Sequence, residues 1–296
     1  MPTSLPFVKC HGCGNDFLVI AAGEWERGGL RPETAVPALC DRHTGVGADG
    51  VILWEPLPGG PGAVRFRIFN QDGSEAEMSG NGLRCLAAHL FLDHPEAAGT
   101  GSAGAGAGSV LRVETLAGSR TVTLLERVPG ACRLRLDLGP AAFEPGAVPV
   151  RLPDGVMDTR RFTLDLGGVP VTLTALSTGN PHASVRVEAF DDAFIAFAGP
   201  RLENHPAFPS RANVEFLRVV DTHTLEVRFW ERGVGPTRSS GTGSAAAAAA
   251  ALANGWVSSP VQVRMEGGEF VVRREPDGRL LQDGWAHRVF RGEIER

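Results

Sequence analysis

Alternating apolar and polar residues mark two short segments of the chain, Val64–Phe69 and Leu225–Trp230. Alternation with a period of two is typical of a strand with one buried face. Short apolar runs recur along most of the chain, so the sequence predicts many short strands. The other candidates are Phe7–Lys9, Phe17–Ala21, Val51–Trp54, Val110–Glu114, Thr121–Leu125, Arg133–Leu138, Val169–Leu176, Ala183–Val187, Val214–Val220, Val261–Met265, Phe270–Arg273 and Trp285–Glu293.

A Ser-Gly-x-Gly turn and an apolar run follow each of the two alternating segments. The runs are Leu83–Leu92 and Ser244–Ala253, and the second is almost entirely alanine, the residue with the highest helix propensity. A helix that is apolar on all sides is usually buried. We therefore expect each helix to run through the middle of a domain and to be surrounded by strands.

These similarities indicate an internal repeat. The turn serines, Ser79 and Ser240, lie 161 positions apart, and at this offset Asn70 aligns with Glu231. An upstream Gly-Asn motif also repeats. Chance similarity between glycine-rich turns is the alternative, but several features repeat in the same order. The repeat predicts two domains, residues 1–128 with about 284–296, and residues 129–283.

The amino-acid composition and net charge exclude several kinds of protein. The chain has 296 residues, of which 43% are hydrophobic and 21% charged, with a net charge of -5 and a pI near 5.9. This composition supports a folded core and argues against a nucleic-acid or anionic-membrane partner. No apolar run of about 18 residues predicts a membrane span, and residues 99–109 read as a flexible, glycine-rich surface loop.

Cysteine and lysine usage adds two expectations. Five cysteines, an odd number, and an N-terminus without a secretory pattern favour the reducing cytoplasm. Lys9 is the single lysine and opens no cofactor motif. Because pyridoxal phosphate enzymes hold their cofactor as a Schiff base on a lysine, chemistry on an amino acid would proceed here without that cofactor.

The two Ser-Gly-x-Gly turns are candidate anion sites. A helix N-terminus offers unpaired N–H groups and partial positive charge, so it binds carboxylates well. The alternative is that Ser79 and Ser240 only cap their helices. Further candidates are polar groups near strand ends or in corresponding regions of the repeat, and each alone also reads as an ordinary turn or surface residue. They are Asn15, Asn70, Asn180, Asn213, His182, Glu231 and Arg232.

Other motifs lack their structural context. Residues 45–50 fit G-x-G-x-x-G but lead into a strand instead of a helix. Cys10 with Cys13, and Cys40 with His43, have zinc-like spacing, yet small buried thiols are common and we expect no metal. Serine, histidine and aspartate are available for a hydrolase triad, but no G-x-S-x-G elbow appears.

Six segments resemble the diaminopimelate epimerase family, in the right order and over nearly the whole chain. They are residues 11–17, 41–50, 70–85, 179–182, 213–216 and 231–243. The resemblance implies an α/β (α+β) fold of two pseudo-symmetric domains, each a curled, mainly antiparallel sheet around a central helix, with the substrate in the cleft between them. It also implies cofactor-independent interconversion of L,L- and meso-diaminopimelate.

The resemblance also implies roles for individual residues. Two residues at opposite faces of the substrate α-carbon exchange its proton; their positions are Ser79 and Ser240, with His182 and Glu231 close by. The substrate-binding positions are Asn15, Asn70, Gly80, Asn81, Asn180, Asn213, Glu231, Arg232, Gly241 and Thr242. The partner is a small amino acid, and a homodimer is one oligomeric state that the sequence leaves open.

The chain departs from the family at the two proton-transfer positions. The family has cysteine where this chain has Ser79 and Ser240. Three explanations compete: serines introduced to trap a complex, a natural variant that uses His182 or Glu231 as its base, or a protein that binds without catalysis. The leading hypothesis is an epimerase with impaired or altered activity. The alternatives are a related racemase, a dehydratase or isomerase that abstracts one proton, and a binder of a zwitterionic amino acid.

Overall fold

The chain divides into two compact units in a computed structural model that describes residues 4–58, 60–99 and 105–295. One unit comprises Met1–Leu136 with Asp283–Arg296, and the other comprises Asp137–Gln282. Residues 100–104 of the predicted surface loop at 99–109 lie outside the described residues.

The described residues are mostly strands. The strands are β1 (Leu5–Gly12), β2 (Asn15–Ala21), β3 (Gly50–Pro56), β4 (Ala63–Asn70), β5 (Glu75–Ala76), β6 (Val110–Thr115), β7 (Gly118–Val128), β8 (Ala131–Pro140), β9 (Phe162–Asp165), β10 (Pro170–Ser177), β11 (Pro181–Arg186), β12 (Asn213–Asp221), β13 (Thr224–Glu231), β14 (Gly235–Thr237), β15 (Val261–Met265), β16 (Gly268–Arg274) and β17 (Arg279–Ile294). The helices are α1 (Ala22–Arg27), α2 (Pro32–Cys40), α3 (Gly80–Asp93), α4 (Asp192–Glu203) and α5 (Gly241–Ala253).

Eight strands close into a ring in the first unit. Antiparallel pairs join β1 to β2, β3 to β4, β6 to β7 and β7 to β8, while β2–β3 and β4–β6 are parallel. Strand β17 pairs with both β8 and β1 and so completes the ring. The short strand β5 pairs with β4 alone at the edge. The first unit is therefore a closed barrel, which leaves few exposed strand edges.

The second unit repeats this pairing order. Strands β10–β11, β12–β13 and β15–β16 are antiparallel, β11–β12 and β13–β15 are parallel, and β14 pairs with β13 as β5 pairs with β4. The mixed α/β fold predicted from the sequence is confirmed. The shared pairing order gives strands β1–β7 counterparts in β10–β16.

A central helix occupies each unit, as the apolar runs predict. Helix α3 packs against β1, β2, β3 and β7, and α5 packs against β10–β13, β15 and β16. Both helices begin three residues before the predicted runs because the Ser-Gly-x-Gly turn forms their first turn. The consecutive alanines of α5 are buried, and their small side chains allow strands to approach the helix on several sides.

The last glycine of each Ser-Gly-x-Gly turn is closely packed against a strand side chain. A Cβ on Gly82 would lie 3.0 Å from the Ile68 side chain, and one on Gly243 would lie 2.9 Å from the Phe229 side chain. Ile68 and Phe229 occupy corresponding positions of β4 and β13. Each helix N-terminus is therefore pressed against the strand that precedes it.

Three helices were not predicted by the sequence pattern, and each has a physical reason. Helix α1 has six residues, too few to show helical periodicity. Helices α2 and α4 contain Pro37 and Pro200, which usually end a helix. Within the described residues, no helix is long and apolar enough to cross a membrane.

Replacing Gly50 by alanine tests the close packing of the first barrel. The new Cβ would lie 2.4 Å from the Phe69 carbonyl oxygen, so we expect the free energy of unfolding to fall by about 1–3 kcal/mol, as for other overpacked cores. Gly23→Ala is the control, because Gly23 is exposed in α1 with nothing within 4 Å of a new Cβ. Chemical denaturation measures both; an unchanged Gly50→Ala variant would contradict the packing described.

Candidate active site

The two helix N-termini have the same local structure. Ser79 and Ser240 both adopt φ −139° and ψ 126°, and the Oγ of each accepts a hydrogen bond of 3.1 Å from the backbone N–H three residues later. The amides of the first helical turn have no acceptor inside a helix. The amides so placed belong to Gly80, Asn81, Gly241 and Thr242. Each N-terminus can therefore accept one carboxylate.

A buried histidine–carboxylate pair lies at the start of β11. His182 is fully buried, and its Nδ1 lies 2.6 Å from Glu215 Oε1. Its Nε2 lies 2.8 Å from Asn180 Oδ1 and 3.0 Å from Thr178 Oγ1. Since an amide oxygen only accepts, a bond to Asn180 requires a proton on Nε2. The histidine thereby fixes the orientation of the predicted substrate-binding amide of Asn180.

The carboxyl group of Glu215 is held in place by hydrogen bonds at both of its oxygens. Ser184 Oγ donates to Glu215 Oε2 at 2.8 Å, and the His182 contact uses the other carboxyl oxygen. Burial raises the pKa of Glu215, while its contacts with His182 and the hydrogen bond from Ser184 act in the opposite direction. Sequence analysis missed Glu215, and its only signal is its position two residues after Asn213.

Glu231 is a partly buried carboxyl group at the end of β13. Thr237 Oγ1 donates to its Oε1 at 3.2 Å, and the Ser240 hydroxyl lies near this carboxyl group. Burial raises the pKa of Glu231, and the two hydroxyl groups offset this only in part. A carboxylate with a raised pKa is a stronger base at neutral pH. Glu231 is thus suited to accept a proton.

Asn213 and Arg232 lie in neighbouring segments of the second unit. Asn213 Oδ1 accepts a hydrogen bond of 3.0 Å from the Arg232 backbone N–H, and its Nδ2 donates to the Pro181 carbonyl at 3.3 Å. The Arg232 guanidinium donates to the Ser210 carbonyl at 2.9 Å. A guanidinium has five N–H donors, so others are available for a carboxylate.

Glu203 is a second residue that sequence analysis missed. It is buried, accepts hydrogen bonds from Trp230 Nε1 and the Gly233 backbone N–H, both at 2.8 Å, and pairs with Arg211 at 3.2 Å. Two of these partners, Trp230 and Gly233, lie immediately before Glu231 and immediately after Arg232 in the chain. Glu203 therefore holds the segment that presents both residues, although no sequence motif marks it.

The predicted residues of the first unit form their own network. Asn15 donates to Asp49 at 2.8 Å and accepts from Asn81 Nδ2 at 3.3 Å, and Asn70 donates to Ser74 at 3.0 Å. Asn81 Oδ1 is buried and has no hydrogen-bond partner among the described residues. Asn15 and Asn81 thus lie together at the N-terminus of α3, while Asn70 ends β4.

An ion pair supports this network next to Asn15. Asp16 Oδ2 lies 2.8 Å from Lys9 Nζ, and Asp16 Oδ1 lies 2.6 Å from Arg42. Burial opposes ionisation of Asp16, but hydrogen bonds from Arg42 and Lys9 outweigh it and lower its pKa to about 2. The single lysine, Lys9, is therefore engaged in an ion pair with Asp16.

The pairs with zinc-like spacing, Cys10 with Cys13 and Cys40 with His43, do not form a metal site in the residues that the structure describes. No group of three or more His, Cys, Asp or Glu side chains could hold a metal ion there. All five cysteines are free, and burial raises the pKa of Cys10 and of Cys40 to about 12. Zinc binds the thiolate form, which these environments disfavour.

The chain matches known proteins along almost its full length. A family model described as diaminopimelate epimerase matches residues 7–143 and 174–289. Diaminopimelate epimerases of Heliobacterium modesticaldum and Azotobacter vinelandii are 38% and 40% identical to it over 300 and 292 residues, covering 98% of this chain and 99% of each relative.

Solved structures share the fold at lower identity. A predicted epimerase from Pseudomonas aeruginosa has a TM-score of 0.66 at 18% identity, covering 98% of this chain and 99% of its own. A hydroxyproline epimerase from Agrobacterium vitis has a TM-score of 0.66 at 16% identity, with 99% and 91% covered. With the internal repeat and the two serine-capped helices, the family match leads to one conclusion: the chain belongs to the diaminopimelate epimerase family.

Proposed function

We propose that this chain epimerises diaminopimelate between its L,L and meso forms, without a cofactor, by proton transfer at one α-carbon. The observation that carries the proposal is the pair of matching helix N-termini, each capped by a serine. Full-length relatives at 38–40% identity bear the name of this activity. The reaction belongs to the biosynthesis of lysine and peptidoglycan.

Substrate binding is assigned to the polar groups around these N-termini. The free amides of Asn81 and Thr242 hold the reacting carboxylate. The side chains that hold the rest of the substrate are Asn15, Asn70, Asn180, Asn213, Glu231 and Arg232. Charge-assisted hydrogen bonds of this kind contribute about 1.5–3 kcal/mol each, so the shell can favour diaminopimelate over amino acids that lack its second charged end.

Proton transfer is assigned to Ser79 and Ser240, with Glu231 and His182 as the titratable groups beside them. A thiol has a pKa near 8.5, whereas a serine hydroxyl is far less acidic and reacts only when a base takes its proton. The serines therefore slow the acid–base step and leave the binding shell unchanged.

Because all five cysteines are free, we place the protein in the reducing cytoplasm. A homodimer stays a prediction.

Replacing both serines by cysteine tests this assignment. The Ser79→Cys/Ser240→Cys variant should convert L,L-diaminopimelate to the meso form much faster than the parent chain, since acid–base groups contribute about 10²–10⁴-fold each and helix N-termini favour thiolates. KM should change little. Chiral chromatography of the reaction mixture measures both parameters.

The single variants serve as controls for this experiment. Ser79→Cys and Ser240→Cys should each fall well short of the double variant, because one poor partner still limits the relay. If the double variant binds diaminopimelate no better than an unrelated amino acid, the binding shell is misassigned and a different substrate becomes the leading hypothesis.

Substituting the only lysine tests cofactor independence. Lys9→Arg keeps the positive charge beside Asp16, so diaminopimelate affinity should stay within about threefold of the parent value, a free-energy change of less than about 1 kcal/mol. The purified parent chain should show no aldimine absorbance. An aldimine spectrum that Lys9→Arg abolishes would overturn the cofactor-independent mechanism.

A further inference from the structure

Two hairpin turns carry asparagines at corresponding positions of the repeat. Strands β1 and β2 form one hairpin, and β10 and β11 form the other. In each turn a glycine with a positive φ, Gly14 at 81° or Gly179 at 102°, comes immediately before an asparagine. These asparagines, Asn15 and Asn180, both belong to the proposed binding shell. Their side-chain amides nevertheless meet hydrogen-bond partners of opposite kinds.

The amide of Asn15 has its nitrogen toward a carboxylate. Asn15 Nδ2 donates to Asp49 Oδ2 at 2.8 Å, and an ionised carboxylate can only accept, so the NH2 group must face Asp49. Asn15 Oδ1 accepts from Asn81 Nδ2 at 3.3 Å, which uses one of the two lone pairs of an amide oxygen. The oxygen of Asn15 is therefore the end turned away from Asp49, and it can accept one further hydrogen bond.

The amide of Asn180 has the opposite orientation. Asn180 Oδ1 lies 2.8 Å from His182 Nε2, and the other ring nitrogen of His182 lies 2.6 Å from Glu215 Oε1. The oxygen of Asn180 is thus bound within the second unit, and its NH2 group is the end turned away from His182. Of these two equivalent asparagines, one has a free acceptor and the other has free donors.

The Asp49 carboxylate is held in place at both of its oxygens. Arg42 donates to Asp49 Oδ1 at 2.9 Å, and the same guanidinium makes hydrogen bonds of 2.6 Å and 3.2 Å to the Asp16 carboxylate. Asp49 Oδ2, which faces Asn15, also accepts the Asp16 backbone N–H at 3.1 Å. Because a guanidinium and a backbone N–H only donate, both oxygens of Asp49 are required as acceptors.

We propose that Asp49 is a positioning residue: it holds the Asn15 amide with its oxygen free, so that Asn15 accepts a hydrogen bond from an ammonium group of the substrate. The inference rests on the proposed function, which places Asn15 in the binding shell. An ammonium group has three donors and no acceptor, so only the oxygen end of an amide can bind it. Asp49 thereby selects, through Asn15, the charge that this part of the shell recognises.

Replacing Asp49 by asparagine should reverse the Asn15 amide. Arg42 only donates, so the new side chain turns its oxygen to Arg42 and its NH2 group to Asn15. The Asn15 oxygen then faces position 49, and its NH2 group is left for the ligand. We expect at least about tenfold weaker binding of L,L-diaminopimelate by Asp49→Asn, the loss of one hydrogen bond to a charged group. Titration calorimetry measures this affinity.

A ligand with one ammonium group distinguishes positioning from general damage to the fold. The probe is L-2-aminopimelate, which can bind in either direction and so keeps its ammonium group at the stronger contact. A carboxylate such as that of Glu231 binds an ammonium group more strongly than the neutral amide of Asn15 does. Asp49→Asn should therefore change the affinity for this probe by less than about threefold. Equal weakening of both ligands, or of neither, overturns the proposal.

Exchanging the two side chains should restore recognition. In the Asn15→Asp/Asp49→Asn variant, the carboxylate at position 15 only accepts, and the amide at position 49 donates to it while its oxygen faces Arg42. The affinity for L,L-diaminopimelate should return to within about threefold of the parent value or exceed it. A double variant that binds as weakly as Asp49→Asn overturns the proposal. If circular dichroism shows that Asp49→Asn does not fold, this double variant decides by the same criterion, and its failure to bind or to fold also overturns the proposal.

Glu55→Gln is the matched control. The Glu55 side chain is 41% exposed and pairs with Arg65, much as the Asp49 side chain is 40% exposed and pairs with Arg42. The two substitutions therefore remove similar ion pairs from the same unit. Glu55→Gln should bind both ligands as the parent does, and a loss equal to that of Asp49→Asn would contradict the role assigned to Asp49.

The parent chain and the double cysteine variant separate this inference from the proposed function. If the parent binds L,L-diaminopimelate and the double cysteine variant converts it, but Asp49→Asn weakens both ligands alike, only the inference is wrong. If neither chain binds or converts L,L-diaminopimelate, the proposed function is wrong, and the inference is lost with it.

Discussion

The structure depends on one repeated contact, a serine-capped helix N-terminus pressed against the strand that precedes it. Gly82 and Gly243 make this approach possible because any side chain there would meet Ile68 or Phe229. The contact fixes the first turn of α3 and α5 inside each unit and leaves early backbone amides without helical acceptors. The position of each helix, the free amides of its first turn and the placement of the two serines all follow from it.

The proposed function assigns recognition and proton transfer to different groups of the chain. The proposed binding shell consists of backbone amides, four asparagine side chains, Glu231 and Arg232, and it does not include the side chains of Ser79 and Ser240. In the proposed mechanism, proton transfer depends on the acidity of the groups at the α-carbon, a role that we assign to Ser79 and Ser240. Burial raises the pKa of Glu231, which makes this carboxyl group the stronger base in the second unit.

The sequence predicted the features that arise from local periodicity and from the repeat. Alternation located β4 and β13, and the apolar runs located α3 and α5. The amides at Asn15, Asn70 and Asn213 were predicted near strand ends, and the structure places them at the first or last residue of β2, β4 and β12. These features can be predicted because one segment of sequence determines each of them.

Features that depend on long-range contacts could not be predicted. Glu215 and Glu203 are ordinary acidic residues in sequence, and only folding brings them to His182 and Trp230. Helix α4 was missed because Pro200 lies inside it.

The affinity of Thr242→Pro for L,L-diaminopimelate, measured by calorimetry against Thr242→Val, tests the central contact most directly. Proline removes the backbone N–H in the first turn of α5, where proline is tolerated, while valine keeps that N–H and removes only the hydroxyl group. The account predicts at least about tenfold weaker binding by Thr242→Pro, the loss of one charge-assisted hydrogen bond, and near-parent binding by Thr242→Val. Equal affinity of the two folded variants would contradict it.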